Sequence, residues 1–356
     1  MSKKYKNLFD AVISRKNIED AYWKTQRGPL KYQGAALRFS RDMTENLEAL
    51  QASLSQGSWR PGTYHQFTVY EPRERLIYAP CYPDKVVQHM VNNILKDIYL
   101  PCYSRDSYAC IEGRGTHMAV NRISAFARQA KWRYGGGAYI LKFDVQKFFY
   151  SINRDILKRL LRKKIADKRL LNVLDMIIDS SPGEKGLPLG NLTSQLFANI
   201  YLNELDQHIK RNLRVRYYVR YADDAVAFLR SKRDAVWLKA EISRYLENSL
   251  DLVAHPEKTK VFPVAQGVNT IGFKIHPTHR LLRDDSKRRV KRKLRKIPGM
   301  ISSGKVTPDK SQQMLSSWMG HAKHGCSHNF IKTLLVRFPF LRRTKTRLLV
   351  NLKKEL

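Results

Sequence analysis

Acidic residues are scarce in this chain. Its 356 residues carry 31 Asp plus Glu against 66 Lys plus Arg, a formal net charge of +35. That excess is far larger than solubility requires, and it points to a polyanionic partner. Long apolar runs are missing too. No uninterrupted stretch reaches membrane-spanning length and neither end carries a lipidation signal, so nucleic acid is a simpler partner than a membrane surface. The absence of a fixed-period repeat or a low-complexity tract excludes solenoids and disordered linkers. What remains is 43% hydrophobic, enough to bury a core in one large domain or two to three packed subdomains.

Cysteine is sparse as well: Cys81, Cys102, Cys110 and Cys326 form no C-x-x-C pair. The opening MSKKYKNLFD lacks the apolar core of a signal peptide, so a reducing, cytoplasmic compartment is expected. The stretch HAKHGCSH crowds His321, His324, Cys326 and His328, and imidazole and thiolate are zinc's usual ligands. Its spacing fits no zinc pattern, so a polar helix end or a nucleic-acid contact is the expectation.

Periodicity organises the chain. Met43, Leu47, Leu50 and Leu54 recur at spacings of four, three and four, one face of a helix ending at Gly57. QFTVYEPRERLIYAP reads as a strand pair with EPRE as its turn, and KVVQHMVNNILKDIYLP as a helix closed by Pro101. GGGAYILKFDVQKFF reads as a glycine loop and a buried strand interrupted by Asp144. Leu192, Leu196 and Ile200, extended by Leu202, Leu205 and Ile209, predict a long buried helix starting near Asn191, with Pro188 and Gly190 in the turn before it. RVRYYVRYADDAVAFL reads as two β-rich runs joined across Ala222, Asp223 and Asp224 in a tight hairpin. After Gly272 the composition shifts. KRRVKRKLRK, from Lys287 to Lys296, is so densely basic that it repels itself unless an anion offsets it. Lys287, Arg288, Arg289, Lys291, Arg292 and Lys293 are its candidate nucleic-acid contacts.

Three acids thus stand at the end of an apolar strand and on the turn of an apolar hairpin within a cationic protein. Clustered, partly buried carboxylates repel one another and lose hydration, so they need a compensating cation or take up protons. Asp144, Asp223 and Asp224 are therefore candidate metal ligands. Magnesium suits them, and two ions would serve an in-line phosphoryl transfer.

YADD, from Tyr221 to Asp224, resembles the catalytic box of bacterial reverse transcriptases, and KFDVQKFFYSI, from Lys142 to Ile152, resembles their first aspartate motif. The order of the other motifs is similar: RLIYAPCYPDKVVQ, SYACIEGRGTHMAV, GLPLGNLTSQ, HPEKTK and IGFKI. The resemblance implies an RNA-directed DNA polymerase of α/β (α+β) class. It implies a right hand with N-terminal segment and fingers over 1–135, palm with its antiparallel sheet over 136–283 and a basic helical thumb over 284–356. Asp144 and Asp223 would ligate magnesium with Asp224 in support. Phe149 would be the gate against a ribose 2′-hydroxyl, Arg75 would contact the triphosphate, and Lys258 would lie near the leaving pyrophosphate. Leu189, Gly190 and Gln195 fall in the helix-opening motif beside the nucleotide.

That motif departs from the common pattern, which has Gln-Gly and then Ser-Pro. Leu189-Gly190 and Ser194-Gln195 look like the reverse transcriptases of diversity-generating retroelements, which copy a template-repeat RNA into cDNA with frequent errors at adenines. The resemblance then implies template RNA, nascent cDNA, dNTP substrates and a small basic helical accessory variability protein as partners, in a bacterial or phage setting. The sequence shows no VTG signature of retron enzymes. It ends soon after the basic segment, which on this reading leaves no room for a maturase extension and endonuclease. A group II intron-like, retron or phage-defence enzyme is the alternative, and an RNA-binding scaffold derived from a polymerase is the non-enzyme one.

Overall fold

The structure, a computed structural model, describes residues 4–28, 32, 34–70 and 74–338. It opens with helices α1 (Phe9–Val12), α2 (Arg15–Thr25), α3 (Gly34–Arg41) and α4 (Met43–Ser55). Ser14 caps α2 by accepting from Asn17 N, satisfying one of the orphan amides of a helix start. α4 buries Leu47, Leu50 and Leu54, as its spacing predicts.

Strands β1 (His65–Val69) and β2 (Arg75–Ala79) form an antiparallel hairpin with Phe67 opposite Ile77. Most of their residues are exposed, so the hairpin projects and does not join a core. Of the expected EPRE turn, residues 71–73 lie outside the described residues. α5 (Tyr82–Tyr99) starts with Pro83 in its first turn, where a missing amide proton costs nothing, and buries Val86, Val87, Met90, Val91 and Leu95. α6 (Thr116–Tyr134) follows, then a 3₁₀ turn over Gly135–Gly137.

The central sheet is built from β3 (Tyr139–Asp144), β4 (Tyr217–Tyr221), β5 (Asp224–Leu229) and β6 (Lys260–Pro263), in the antiparallel order β4-β5-β3-β6. Between β3 and β4 run α7 (Phe148–Ser151), α8 (Arg154–Lys164), α9 (Lys168–Asp179) and α10 (Leu192–Gln207), and α11 (Lys232–Leu250) lies between β5 and β6. Side chains alternate across a pleated strand, and here both faces are covered. Leu141, Phe143, Tyr218, Ala225 and Ala227 join one core with α5, α8, α10 and α11. Ile140, Tyr217, Val219, Val226 and Phe228 join a second with α6.

That second core continues without a break into the C-terminal part. β7 (Val268–Thr270), β8 (Phe273–Ile275) and β9 (Arg280–Leu282) form a small antiparallel sheet, followed by α12 (Asp284–Ser302), α13 (Pro308–Ala322) and α14 (His328–Arg337). Phe273, Val290, Leu294 and Leu315 belong to the same cluster as Ile140 and Phe228. The boundary expected at 284 thus coincides with the start of a helix and not with a gap in packing. The expected basic region runs to 356, and its residues 339–356 lie outside the described residues. α10 also differs in detail from its sequence reading. Its last turn, His208–Asn212, loosens into a π-helix that carries the buried Ile209. Asn191 makes no capping bond, and the Leu192 amide donates instead to Gln88 Oε1 at 2.9 Å.

Candidate active site

β3 ends on Asp144 and β5 begins on Asp224, and the two are direct Cα partners. The β4–β5 turn places Ala222 and Asp223 between them, so all three acids reach one rim of the sheet. Asp144 is buried, and its Oδ1 accepts from Lys258 Nζ at 2.8 Å. The loop carrying Lys258 is tied to the same strand end, because His255 N donates to Asp144 O at 2.7 Å. Burial pushes the Asp223 carboxyl above its ordinary range and the Asp144 charge adds to this, while Lys258 and Arg75 pull it back. Asp144, Asp223, Lys258 and Arg75 therefore share one electrostatic field.

Asp224 is engaged elsewhere. Its Oδ2 accepts from Thr270 Oγ1 at 3.0 Å and lies 3.4 Å from Lys142 Nζ, and burial pushes its pKa up to about 6. Its Oδ1 is buried without a hydrogen-bond partner among the described residues. The acids do not converge as a triad: among the described residues no group of three or more His, Cys, Asp or Glu is placed to hold a metal ion. Asp144 and Asp223 nevertheless fit a hard divalent cation. They are adjacent oxygen donors whose mutual repulsion such an ion would relieve. Asp224 is braced beside this pair by Lys142 and Thr270.

Phe149 lies on α7, half-buried, its ring edge-on to Phe148 at 5.4 Å. The backbone there is locked to the strip that precedes α10: Leu187 N donates to Phe149 O at 2.7 Å and Gly186 N to Ile152 O at 2.8 Å. The strip then crosses to the projecting hairpin, where Tyr78 N donates to Leu189 O at 2.8 Å. Gly190 has φ +129°, and a Cβ there would stand 2.4 Å from Tyr78 O, closer than any side chain tolerates. Glycine is thus what lets the strip meet β2, the strand that carries Arg75.

A cavity of about 780 Å³ opens on that side, between α2, α3, α5 and the hairpin, with Arg27, Phe67, Ile77, Lys85, Gly190 and Leu192 in its wall. Cations over apolar ground suit a nucleic-acid strand, whose phosphates and bases need one each. Gln195 is not part of it. Exposed on the first turns of α10, it lines a separate cleft of about 120 Å³ with Lys96 and Glu112.

The basic block folds as α12 with Val290, Leu294 and Ile297 buried. Its cations are not equivalent. Lys287 pairs with Asp284, Arg289 with Asp285, and Lys291 sits over the Phe330 ring at 5.4 Å. Arg288, Arg292 and Lys293 are exposed. In HAKHGCSH, His324 stacks on His117 of α6 with ring centroids 3.6 Å apart, and His321 packs on Phe273 at 4.5 Å. These histidines join α13 to α6 and β8, a packing role that composition alone does not indicate.

Lys142, Thr270 and Arg220 also belong to the site, although no motif in the sequence singles them out. Arg220 and Asp206 are 1% and 0% exposed and form an ion pair behind the turn. The available signal was an arginine at position 220, inside the apolar run YYVRY of a strand with both faces covered.

The family model described as reverse transcriptase (RNA-dependent DNA polymerase) matches residues 71–275, from the hairpin to the end of β8. The group II intron-encoded protein LtrA of Lactococcus lactis subsp. cremoris is 23% identical over 335 residues, covering 72% of this chain and 55% of that protein. The chain therefore spans about half the length of that relative. The retron Ec73 reverse transcriptase of Escherichia coli is 26% identical over 275 residues, covering 72% of this chain and 81% of that one. The structure of apo telomerase from Candida tropicalis superposes with a TM-score of 0.50 at 12% identity, covering 78% of this chain and 68% of that chain, which shows a shared fold. The matched region is more than half of the 356 residues and contains both strand ends that bear the acids, and on that ground the chain belongs to the reverse transcriptase (RNA-dependent DNA polymerase) family.

Proposed function

We propose that this chain is an RNA-directed DNA polymerase, and more narrowly the adenine-mutagenic reverse transcriptase of a diversity-generating retroelement. The observation that carries the polymerase reading is the Asp144–Asp223 pair at one rim of the sheet, sharing its field with Lys258 and Arg75. Bound magnesium ions would supply Lewis-acid activation of a primer 3′-hydroxyl and neutralise charge on the triphosphate. The chain's own residues orient the reactants. Arg75 faces the triphosphate from the hairpin, Lys258 stands by the leaving pyrophosphate, and Phe149 fills the space of a 2′-hydroxyl. The template strand takes the cationic cavity beside Gly190, and Arg288, Arg292 and Lys293 of α12 hold the duplex behind it.

The narrower reading rests on Leu189 before Gly190 and on Gln195 after Ser194, and it brings a small basic helical accessory protein as partner. A group II intron-like or retron enzyme is the second reading, favoured by the relatives named above. Copying a defined RNA with magnesium and dNTPs and sequencing the cDNA separates them. Errors concentrated opposite template adenines are expected; errors spread evenly over the four bases would transfer the chain to the second reading.

A further inference from the structure

We infer that Arg220 is a positioning residue that holds the Ala222–Asp223 turn in its working conformation, an inference that rests on the polymerase reading above. Ala222 sits at φ +55°, a left-handed conformation that a non-glycine residue adopts at a cost. The turn that presents Asp223 is therefore under strain. Something must keep it there.

The guanidinium of Arg220 does so from below. Its Nη1 donates to the Ala222 carbonyl at 2.9 Å and to Asn199 Oδ1 at 3.2 Å. Nε and Nη2 grip Asp206 on α10, at 2.8 Å to Oδ1 and 2.7 Å to Oδ2. Asp206 is fixed in turn by Ser107 Oγ at 2.6 Å and the Tyr218 hydroxyl at 2.8 Å. The backbone of Arg220 is clamped as well, its N donating to Asp106 O at 2.9 Å and its O accepting from Tyr108 N at 3.1 Å. A rigid planar fork is thus anchored on a helix at one side and holds the carbonyl next to Asp223 at the other. Lysine cannot span both. The SYAC segment has a place in the same device: Ser107 and Tyr108 brace the outer edge of β4.

The full chain is assayed on a primed RNA template with magnesium, as the parent, as Arg220→Lys, and as the charge-free pair Arg220→Met with Asp206→Leu, which avoids stranding one buried charge. Positioning predicts a kcat lower by about 10- to 100-fold, as misplacement of a reacting group by about 1 Å produces. KM for dNTP stays within about twofold and affinity for the RNA–DNA hybrid is unchanged. Amide exchange quickens at residues 222–224 without quickening in α10. Parental kcat and parental exchange at the turn in a folded variant would overturn the inference. So would exchange that rises equally through α10, since the pair would then serve only the core. Should neither Arg220 variant fold, Tyr218→Phe removes one hydroxyl from Asp206 and leaves the ion pair, and exchange at the turn decides. If the parent itself does not polymerise, the functional reading falls, while the exchange comparison still judges Arg220.

Discussion

On the proposed reading Leu189 stands beside the nascent base pair, at a position where the motif it resembles commonly has glutamine. Leu189 offers no donor or acceptor, and its backbone carbonyl is already taken by Tyr78 N. A site deprived of one or two hydrogen bonds selects mainly by shape, which relaxes discrimination by about 1–3 kcal/mol, roughly five- to a hundredfold in misincorporation. Leu189→Gln should therefore lower errors opposite template adenine without abolishing synthesis; an active variant with the parent's error spectrum would show that this side chain only packs. Phe149→Ala should admit ribonucleotides, measured as a fall in the dNTP-over-rNTP ratio of kcat/KM, because the ring's loss opens the space a 2′-hydroxyl needs. An unchanged ratio assigns Phe149 to packing. Asp224 gives a pH signature. Its folded pKa of about 6 lies above the ordinary carboxylate value of 3.8, so between these the native state binds the proton more tightly than the unfolded chain. Stability of the metal-free protein from this group then falls as pH rises through that window. Asp224→Asn should raise the melting temperature above pH 6, and the gain should vanish near pH 4. A gain of equal size at both pH values would contradict the assignment.

At the scale of elements, the long periodic segments were legible. α4, α5 and α10 follow their apolar spacing, and the Tyr221–Asp224 hairpin follows from two β-rich runs around two acids. Other features left no such trace. β7, β8 and β9 are three residues each, too short to show a period. The direction of the Asp224 carboxylate depends on Lys142 and Thr270, which only the folded sheet brings near. The Arg220–Asp206 pair joins a strand to a helix, and a buried charge has no periodicity of its own. α12 shows the limit of reading charge from sequence: the block is basic at all but Val290 and Leu294, yet Lys287 and Arg289 spend their charge on Asp284 and Asp285. Replacing Arg288, Arg292 and Lys293 together by Gln should lower the slope of log affinity against log salt by roughly 2–3, since each phosphate contact releases about 0.7–0.9 counterion. An unchanged slope would mean that the face is merely solvated.

Over the whole molecule the opposing signs divide the work. The chain carries a net charge of +35, while a few acids are held at one rim of a sheet covered on both faces. Gly190 lets the strip before α10 meet the hairpin, and α12 shares a packed core with the sheet. The proposed polymerase activity depends on the Asp144–Asp223 pair. Its most direct test is single-nucleotide extension of a primer on an RNA template with magnesium, comparing the parent with Asp223→Asn alongside hybrid-binding and melting measurements. Asp223→Asn is expected to bind the hybrid as the parent does, melt no lower, and extend at least about a thousandfold more slowly, a loss of about 4 kcal/mol of transition-state stabilisation. A folded Asp223→Asn protein that extends the primer near the parent's rate would contradict that dependence.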